Sequence, residues 1–454
     1  MASMRQPSFW LERLASRPMR PAVSSDLEVD VCVLGAGYTG LWSAYYLAKA
    51  DPSLRIAVVE SEQVGFGASG RNGGWASAKI AGNDRLLADP ETRSGAVAIY
   101  REMIRTLGEM DRVIAAESID CGFTLGGSVV AATRPGQVGR LKDSVILEHT
   151  AGFDDGDLRW MEPDEARRMI ATSRSFGATF TPHCAALDPA RLVVGLAAAA
   201  ERAGVAVYEQ SPGTPVPGGV CTPGGRVRAA VVVEAIEAYR TSLRGRGRDV
   251  IPVYSLMVVT EPVPAVAWGE IGLAGRETFS DGRHLIIYGQ RTEDGRIAFG
   301  GRGAPYHYGS AVEPGFDRDE RTFTFLRDTL VELFPVLRGV RFEGAWGGPL
   351  AIPRDWQPSV RFDGSTAIVG GYVGQGVALA NLAGRTVRDL VLRADTDIVH
   401  LPWVGHHSPR WEPEPLRWIG VNLARRLTDS VDQAEERGRA ARIRRAIFDR
   451  LPVG

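Results

Sequence analysis

Gly35, Gly37 and Gly40 stand in a G-x-G-x-x-G spacing with Tyr38 and Thr39 between the last two, and Glu60, followed by Ser61, comes about twenty residues later. Such a spacing suits a dinucleotide. Gly35 permits a tight turn, Gly37 lets the backbone approach a pyrophosphate, and Gly40 lets a helix pack closely on its strand. A helix opening there presents unpaired N–H groups at the positive end of its dipole, which favours phosphate. The Glu60 carboxylate can accept hydrogen bonds from a ribose diol. These residues alone do not separate a nicotinamide from a flavin dinucleotide.

A second glycine-rich stretch separates them: Gly65-Phe66-Gly67-Ala68-Ser69-Gly70-Arg71-Asn72-Gly73-Gly74-Trp75. It resembles the G-A-S-G-R-N-G-G signature of the FAD-dependent D-amino acid oxidase superfamily, in the branch with gamma-glutamylputrescine oxidase, glycine oxidase and sarcosine oxidase. Three further segments are similar to that branch: Ala235 to Tyr239, where the family often has A-T-N-A-Y, Thr260-Glu261-Pro262, and Gly370 to Arg385. The resemblance implies that Gly67, Ala68, Ser69, Gly73 and Gly74 run along the isoalloxazine, with Arg71 or Asn72 holding ring heteroatoms. It also implies that Gly371, Gly374, Gln375, Gly376 and Val377 open a helix toward the pyrimidine edge of the flavin, where a positive dipole end favours the reduced anion. Val216 is counted with the cofactor-binding residues. Relatives with covalent flavin use a histidine in the segment matching Ala68 to Gly74 or a cysteine in the C-terminal third. Here Arg71 and Asn72 stand in the first place and no cysteine follows Cys221, so noncovalent FAD is implied.

Catalytic candidates are fewer, because in this chemistry the protein chiefly orients the substrate and excludes water. Trp75, Tyr254, Tyr288 and Trp346 match family positions near the pocket and suit an aromatic wall for an amine, although each also suits core packing. Of the lysines Lys49, Lys79 and Lys142, Lys79 follows the flavin segment and suits electrostatic stabilisation of reduced oxygen, with a solvated surface lysine as the alternative. The oxygen-activating lysine of sarcosine oxidases falls in a strand matching Arg296 to Gly300, which holds none. Where glycine oxidase and its relatives hold the substrate carboxylate with an arginine, Leu350 stands here in Trp346-Gly347-Gly348-Pro349-Leu350-Ala351, leaving Arg354 or Arg302 as remote anchors. His183 lacks a metal-ligand companion, and Cys32, Cys121, Cys184 and Cys221 are scattered, so neither a metal site nor a disulfide framework is expected.

The elements that must position these residues follow from periodicity. Asp30 to Leu34 and Ile56 to Val59 are apolar runs of a parallel sheet, joined by a helix that Asp51-Pro52 ends. A helix is expected over 96–116 and another over 188–204 with an Asp188 N-cap; strands are expected over 128–132, 205–210, 227–235, 250–260, 283–288, 296–300 and 367–369. With the resemblance, the expected fold class is α/β: a discontinuous Rossmann-like FAD-binding domain (27–95, 185–240 and 341–395) and a substrate domain with a mainly antiparallel sheet (96–184 and 241–340). An N-terminal arm, 1–26, precedes them. A C-terminal helical arm, 396–454, packs outside, its Arg437 to Arg450 run read as a solvated helix.

The chain has 454 residues, 44% of them hydrophobic, and a net charge of -1, which suits packed domains and gives no electrostatic footprint for nucleic acid. No membrane span or signal peptide is read, and a cytoplasmic location is expected. The expected activity is oxidation of a C–N bond in an amine or amino-acid-like substrate to an imine, with oxygen as re-oxidant. The alternatives are an FAD-dependent dehydrogenase using another electron acceptor and a flavin-binding subunit without turnover. The oligomeric state is not read from these motifs. Acid or heat should release FAD, and not FMN, from yellow purified protein; colour that stays with the precipitated polypeptide would refute noncovalent binding.

Overall fold

Two sheets share the chain. The computed structural model describes residues 7–15, 17–302 and 305–436. The first sheet runs in the order Ser359–Phe362, Thr366–Gly370, Gly225–Glu234, Leu27–Leu34, Ile56–Val59, Ala206–Tyr208, and all neighbours are parallel except the first pair. Val31 to Leu34 and Ile56 to Val59 are fully buried, because helices cover the parallel sheet, and that burial explains their unbroken apolar sequences. The helices Tyr38–Ala50, Arg93–Ala116, Pro189–Arg202 and Gly376–Leu392 contribute to one core with this sheet. Asp188 caps the third of them, its side chain accepting from the amides of Ala190 and Arg191, as its sequence position predicts.

The helices Tyr38–Ala50 and Gly376–Leu392 cross closely. At Gly384 a Cβ would lie 2.6 Å from Trp42 Cβ, so glycine is what permits the approach. Both helices begin at glycine turns that end sheet strands, Leu27–Leu34 and Thr366–Gly370. Their N termini therefore open onto the same side.

The second sheet runs Phe342–Ile352, Ile251–Thr260, Ile297–Arg302, Ile287–Arg291, Thr278–Asp281, Ser128–Ala131, Ala178–Thr181, Arg159–Met161. It is antiparallel apart from the pair Thr278–Asp281 and Ser128–Ala131. Leu256, Val258, Phe279 and Phe299 build a separate core with Phe323, Leu326 and Leu330 of the helix Glu320–Leu333. A two-stranded ribbon, Trp75–Ser77 with Cys184–Ala186, carries the glycine-rich segment out of the first layer.

Three expectations move. The helix Arg93–Ala116, assigned to the substrate domain, buries Tyr100, Met103, Leu107 and Met110 in the nucleotide-domain core. The strand Phe342–Ile352, assigned to the FAD-binding domain, pairs along Ile251–Thr260 in the substrate sheet. In both cases a boundary drawn from sequence spacing missed which layer the apolar face meets. The expected strand 283–288 forms later, at Ile287–Arg291, because His284 and Leu285 give their amides to Asp432 of the helix Leu416–Glu436.

That helix belongs to the C-terminal arm. Its Glu435 also pairs with Arg140 of the helix Pro135–Thr150 at 3.2 Å, and Trp403 before it is buried in the core of the first sheet. The run Arg437 to Arg450 lies outside the described residues. The four cysteines are unpaired, and among the described residues no helix is long and apolar enough to cross a membrane.

Candidate functional site

The strand Leu27–Leu34 delivers the chain into Gly35, whose φ of +104° is left-handed and whose Cβ would fall 2.7 Å from the Ala235 carbonyl oxygen. A Cβ at Gly40 would lie 2.0 Å from the Gly35 carbonyl oxygen. Only glycine fits either place. Ser69 Oγ accepts from the Tyr38 amide at 2.9 Å and would meet a Gly37 Cβ at 2.9 Å, so the helix start and the second glycine segment lie against each other. Among the described residues, the amides of Thr39 and Gly40 in this helix and of Val377 and Ala378 in Gly376–Leu392 have no protein acceptor. Tyr38, Thr39, Gly376 and Val377 line one groove. Two helix N termini thus offer unpaired amides and positive dipole ends to one ligand.

Glu60 faces the turn. Its Oε2 accepts from the Ala36 amide at 2.8 Å, and its Oε1 accepts from the Glu62 amide at 3.0 Å and from the Ser61 hydroxyl at 3.3 Å. Burial raises the carboxyl's pKa above its ordinary value, and these donors oppose the shift. Glu60 therefore also supports the turn itself, a role its sequence position did not disclose. At the other end of the groove Gly371 and Gly374 take left-handed φ values of +81° and +92°, and Gly374, Gln375 and Val377 continue into a neighbouring cavity. Val216 sits in a hairpin opposite Gly219. Gly213 is the residue of that segment that stands against Leu34 and Val59, at the ends of the two nucleotide strands.

The segment 68–74 is held through its own carbonyls. Ser8 Oγ donates to Gly70 O at 2.6 Å, Trp346 Nε1 to Arg71 O at 2.8 Å, Trp10 Nε1 to Asn72 O at 3.0 Å, and Gln290 Nε2 to Gly73 O at 2.7 Å. Four consecutive carbonyls each meet a side-chain donor from outside the segment. Arg71 and Asn72, expected to reach a ring, are turned to main chain instead. The Arg71 guanidinium donates to Phe66 O and Gly347 O and pairs with Asp317 at 3.2 Å. The Asn72 side chain donates to Ala68 O and Ser69 O and accepts from the Gly74 amide. Of the four holding side chains, sequence reading named Trp346 for another duty and missed Ser8, Trp10 and Gln290, because nothing local marks a side chain that meets a loop from far along the chain.

Beyond this segment lies a cavity of about 300 Å³ lined by Ala68, Gly73, Trp75, Lys79, Tyr288 and Leu350, with a hydroxyl-bearing wall of Ser128, Thr179, Thr181 and Ser280. It shares Ala68, Asn72, Leu350, Gly374 and Val377 with the groove. Trp75 and Tyr288 meet edge to face at 5.8 Å between ring centroids, and the Tyr288 hydroxyl bonds Ser255 Oγ at 2.7 Å. The other two expected aromatics are elsewhere. Tyr254 is buried against Phe316 and His307, on the face opposite Ser255, as strand alternation requires. Trp346 is buried beneath Arg71 with Phe9 and Trp10.

Lys79 is a wall residue, with its ammonium 2.6 Å from Oε1 of the fully buried Glu148. Burial lowers the Lys79 pKa, but Glu148 and Asp84 outweigh it and leave the value above the ordinary one. The side chain is 29% exposed, so it is both paired and in reach of solvent. His183 is engaged by Asp157 at 2.8 Å. Arg354 is tied to Glu412 at 3.0 Å and lies over the Trp411 ring, and the side chain of Arg302 lies outside the described residues. A cluster of His284, Asp432 and Glu435 has metal-ligand composition, but Asp432 already accepts two amides and Glu435 pairs with Arg140.

A parallel sheet with a glycine turn, an acidic strand end and a second glycine segment leading into a cavity defines a dinucleotide-dependent oxidoreductase of the flavoprotein kind. A family model described as FAD dependent oxidoreductase matches residues 30–390, and the chain belongs to that family. It is 29% identical over 406 residues to the gamma-glutamylputrescine oxidoreductase of Escherichia coli, covering 86% of this chain and 91% of that one. It is 30% identical over 411 residues to a probable oxidoreductase, OrdL, of Rhizobium meliloti, covering 86% and 89%. The fold is also that of glycine oxidase from Geobacillus kaustophilus, with a TM-score of 0.67 at 22% identity over 84% of this chain and 99% of that one.

The residues present fit FAD: two open helix N termini suit a diphosphate, and the glycines are places that a Cβ would fill. Trp346→Phe is expected to lower the thermal midpoint of the protein, since a buried Arg71 carbonyl left without its donor costs about 1–3 kcal/mol. KM for an amine substrate should stay within about twofold, because the indole is outside the cavity. A large rise in KM with unchanged stability would return Trp346 to the pocket wall.

Proposed function

We propose that this FAD-dependent oxidoreductase oxidises the C–N bond of an amine that carries no carboxylate on the oxidised carbon. The observation that supports this reading is the cavity wall: Leu350 lines it, while Arg71, the lining arginine, is engaged by Phe66 O, Gly347 O and Asp317. A carboxylate placed there would lose water without gaining a bidentate partner, which costs several kcal/mol. Trp75 and Tyr288 give an amine a face of aromatic carbon, and the hydroxyls of Ser128, Thr179 and Thr181 suit a polar tail farther out.

The Escherichia coli relative is named for gamma-glutamylputrescine, an amine of this kind. Bound FAD supplies the two-electron acceptor. The protein's share is placement: the Ala68 to Gly74 main chain, fixed by the four side chains that donate to its carbonyls, forms one wall, and the aromatic pair limits where a substrate carbon can sit. Lys79 is assigned to hold a fixed positive charge at that wall, where it favours reduction of oxygen as the final acceptor. We place the enzyme in the cytoplasm, in keeping with four unpaired cysteines.

Steady-state turnover of glycine, sarcosine and D-alanine beside putrescine-like and aromatic amines tests the substrate class. Amines without the α-carboxylate should exceed the simple amino acids in kcat/KM by about tenfold or more, a difference of 1.4 kcal/mol. Efficient turnover of the simple amino acids would sink the reading. Stopped-flow re-oxidation by oxygen separates an oxidase from a dehydrogenase with another acceptor.

A further inference from the structure

Glu237 stands where two unfavourable conditions meet. Its backbone is left-handed, with φ of +44°, a conformation that costs a non-glycine residue about 1 kcal/mol and that asparagine tolerates better. Its carboxyl is enclosed beside Gly370, where a Cβ would lie 3.3 Å from Glu237 Cδ. Oε1 accepts from the Tyr372 amide at 3.2 Å, while Oε2 is buried and has no hydrogen-bond partner. A strained backbone and an unsatisfied buried oxygen in one residue point to a partner outside the protein.

The carboxyl lines the cofactor groove together with Tyr38, Thr39, Ser69 and Gly376. It thus shares one groove with both helix N termini. The phosphates of a ligand there offer acceptor oxygens alone, which a carboxylate would repel and to which a carboxylic acid donates. Because Oε1 accepts from main chain, Oε2 is the oxygen able to carry the proton.

We propose that Glu237 is a cofactor-retaining residue whose neutral carboxyl donates from Oε2 to a phosphate oxygen of FAD, and that ionisation of this carboxyl weakens FAD binding. The charges around it are few. Arg240, on the same turn, is buried and donates to Val369 O at 2.8 Å, and Glu234, Asp249 and Arg361 act on Arg240 from beyond it. Tyr38 and Tyr372 face the same groove with hydroxyls raised by burial, so they stay neutral in the working range.

Burial pushes the Glu237 carboxyl up to about 7, against the pull of Arg240 and the Tyr372 and Gly371 amides. The sign follows: below that value the donor is present, and as pH rises through it the donor is lost and a negative charge appears beside the phosphates. FAD retention should therefore fall with rising pH, the reverse of what a carboxylate accepting from a ribose would give.

The test is FAD titration of the full-length apoprotein, read by flavin fluorescence, at about pH 6 and about pH 9. In the unaltered protein Kd should rise about tenfold or more, one pKa unit of linkage or greater. Glu237→Gln, which donates at any pH, and Glu237→Asn, which suits the left-handed backbone, should each hold Kd within about twofold over that range. Circular dichroism melts of the apoproteins at both pH values show whether each variant is folded. A flat Kd in the unaltered protein, or variants that keep its pH slope, would overturn the proposal. The readout is binding alone, so it can fail while the amine reading stands, and the reverse.

Discussion

Four consecutive peptide carbonyls, Gly70 to Gly73, set the terms for the rest of the structure. This glycine-rich segment lines both the groove and the neighbouring cavity. Its buried carbonyls still need donors. The protein supplies them from Ser8 and Trp10 at the N-terminal helix Phe9–Glu12, from Gln290 on a central strand and from Trp346 on an edge strand of the substrate sheet. Those donors tie the second sheet and the N-terminal arm to one loop, which itself follows the strand Ile56–Val59 of the first sheet. Gly73 and Gly74 are glycine for the same reason. A Cβ at Gly73 would strike Tyr288 at 2.5 Å, and one at Gly74 would strike Gln290 at 2.1 Å.

The electrostatics are arranged with comparable economy. Open amides of two helices provide positive potential for a diphosphate without any lysine or arginine in the groove lining. Cations that do come near are paired: Lys79 with Glu148, and Arg71 with Asp317. The cavity lining therefore combines aromatic carbon and hydroxyls with charged side chains, Lys79 and Arg71 among them, that already have acidic partners.

How much of this was legible in the sequence depends on range. Elements and residues whose signal is local were readable: the turn at Gly35 to Gly40, the buried runs Val31 to Leu34 and Ile56 to Val59, and the Asp188 cap all rest on neighbours within a few positions. Trp346 and Tyr254 were not. Whether an aromatic on a strand faces a cavity depends on register and on what covers it, and Tyr254 differs from cavity-lining Ser255 by a single residue. The strand Phe342–Ile352 was placed in the wrong layer because its partner, Ile251–Thr260, lies far away along the chain. Glu237 was not singled out within the similar segment Ala235 to Tyr239, because its left-handed backbone and unbonded oxygen are products of the fold.

Hydrogen–deuterium exchange of the apoprotein with and without FAD tests most directly whether the pinned segment and the two helix starts form one cofactor site. The account predicts that FAD slows exchange of amides around 38–40, 68–75 and 376–378 together, while the outer strands Ala178–Thr181 and Arg159–Met161 of the substrate sheet are unchanged. Protection confined to one of those three segments, or spread evenly over both sheets, would contradict it.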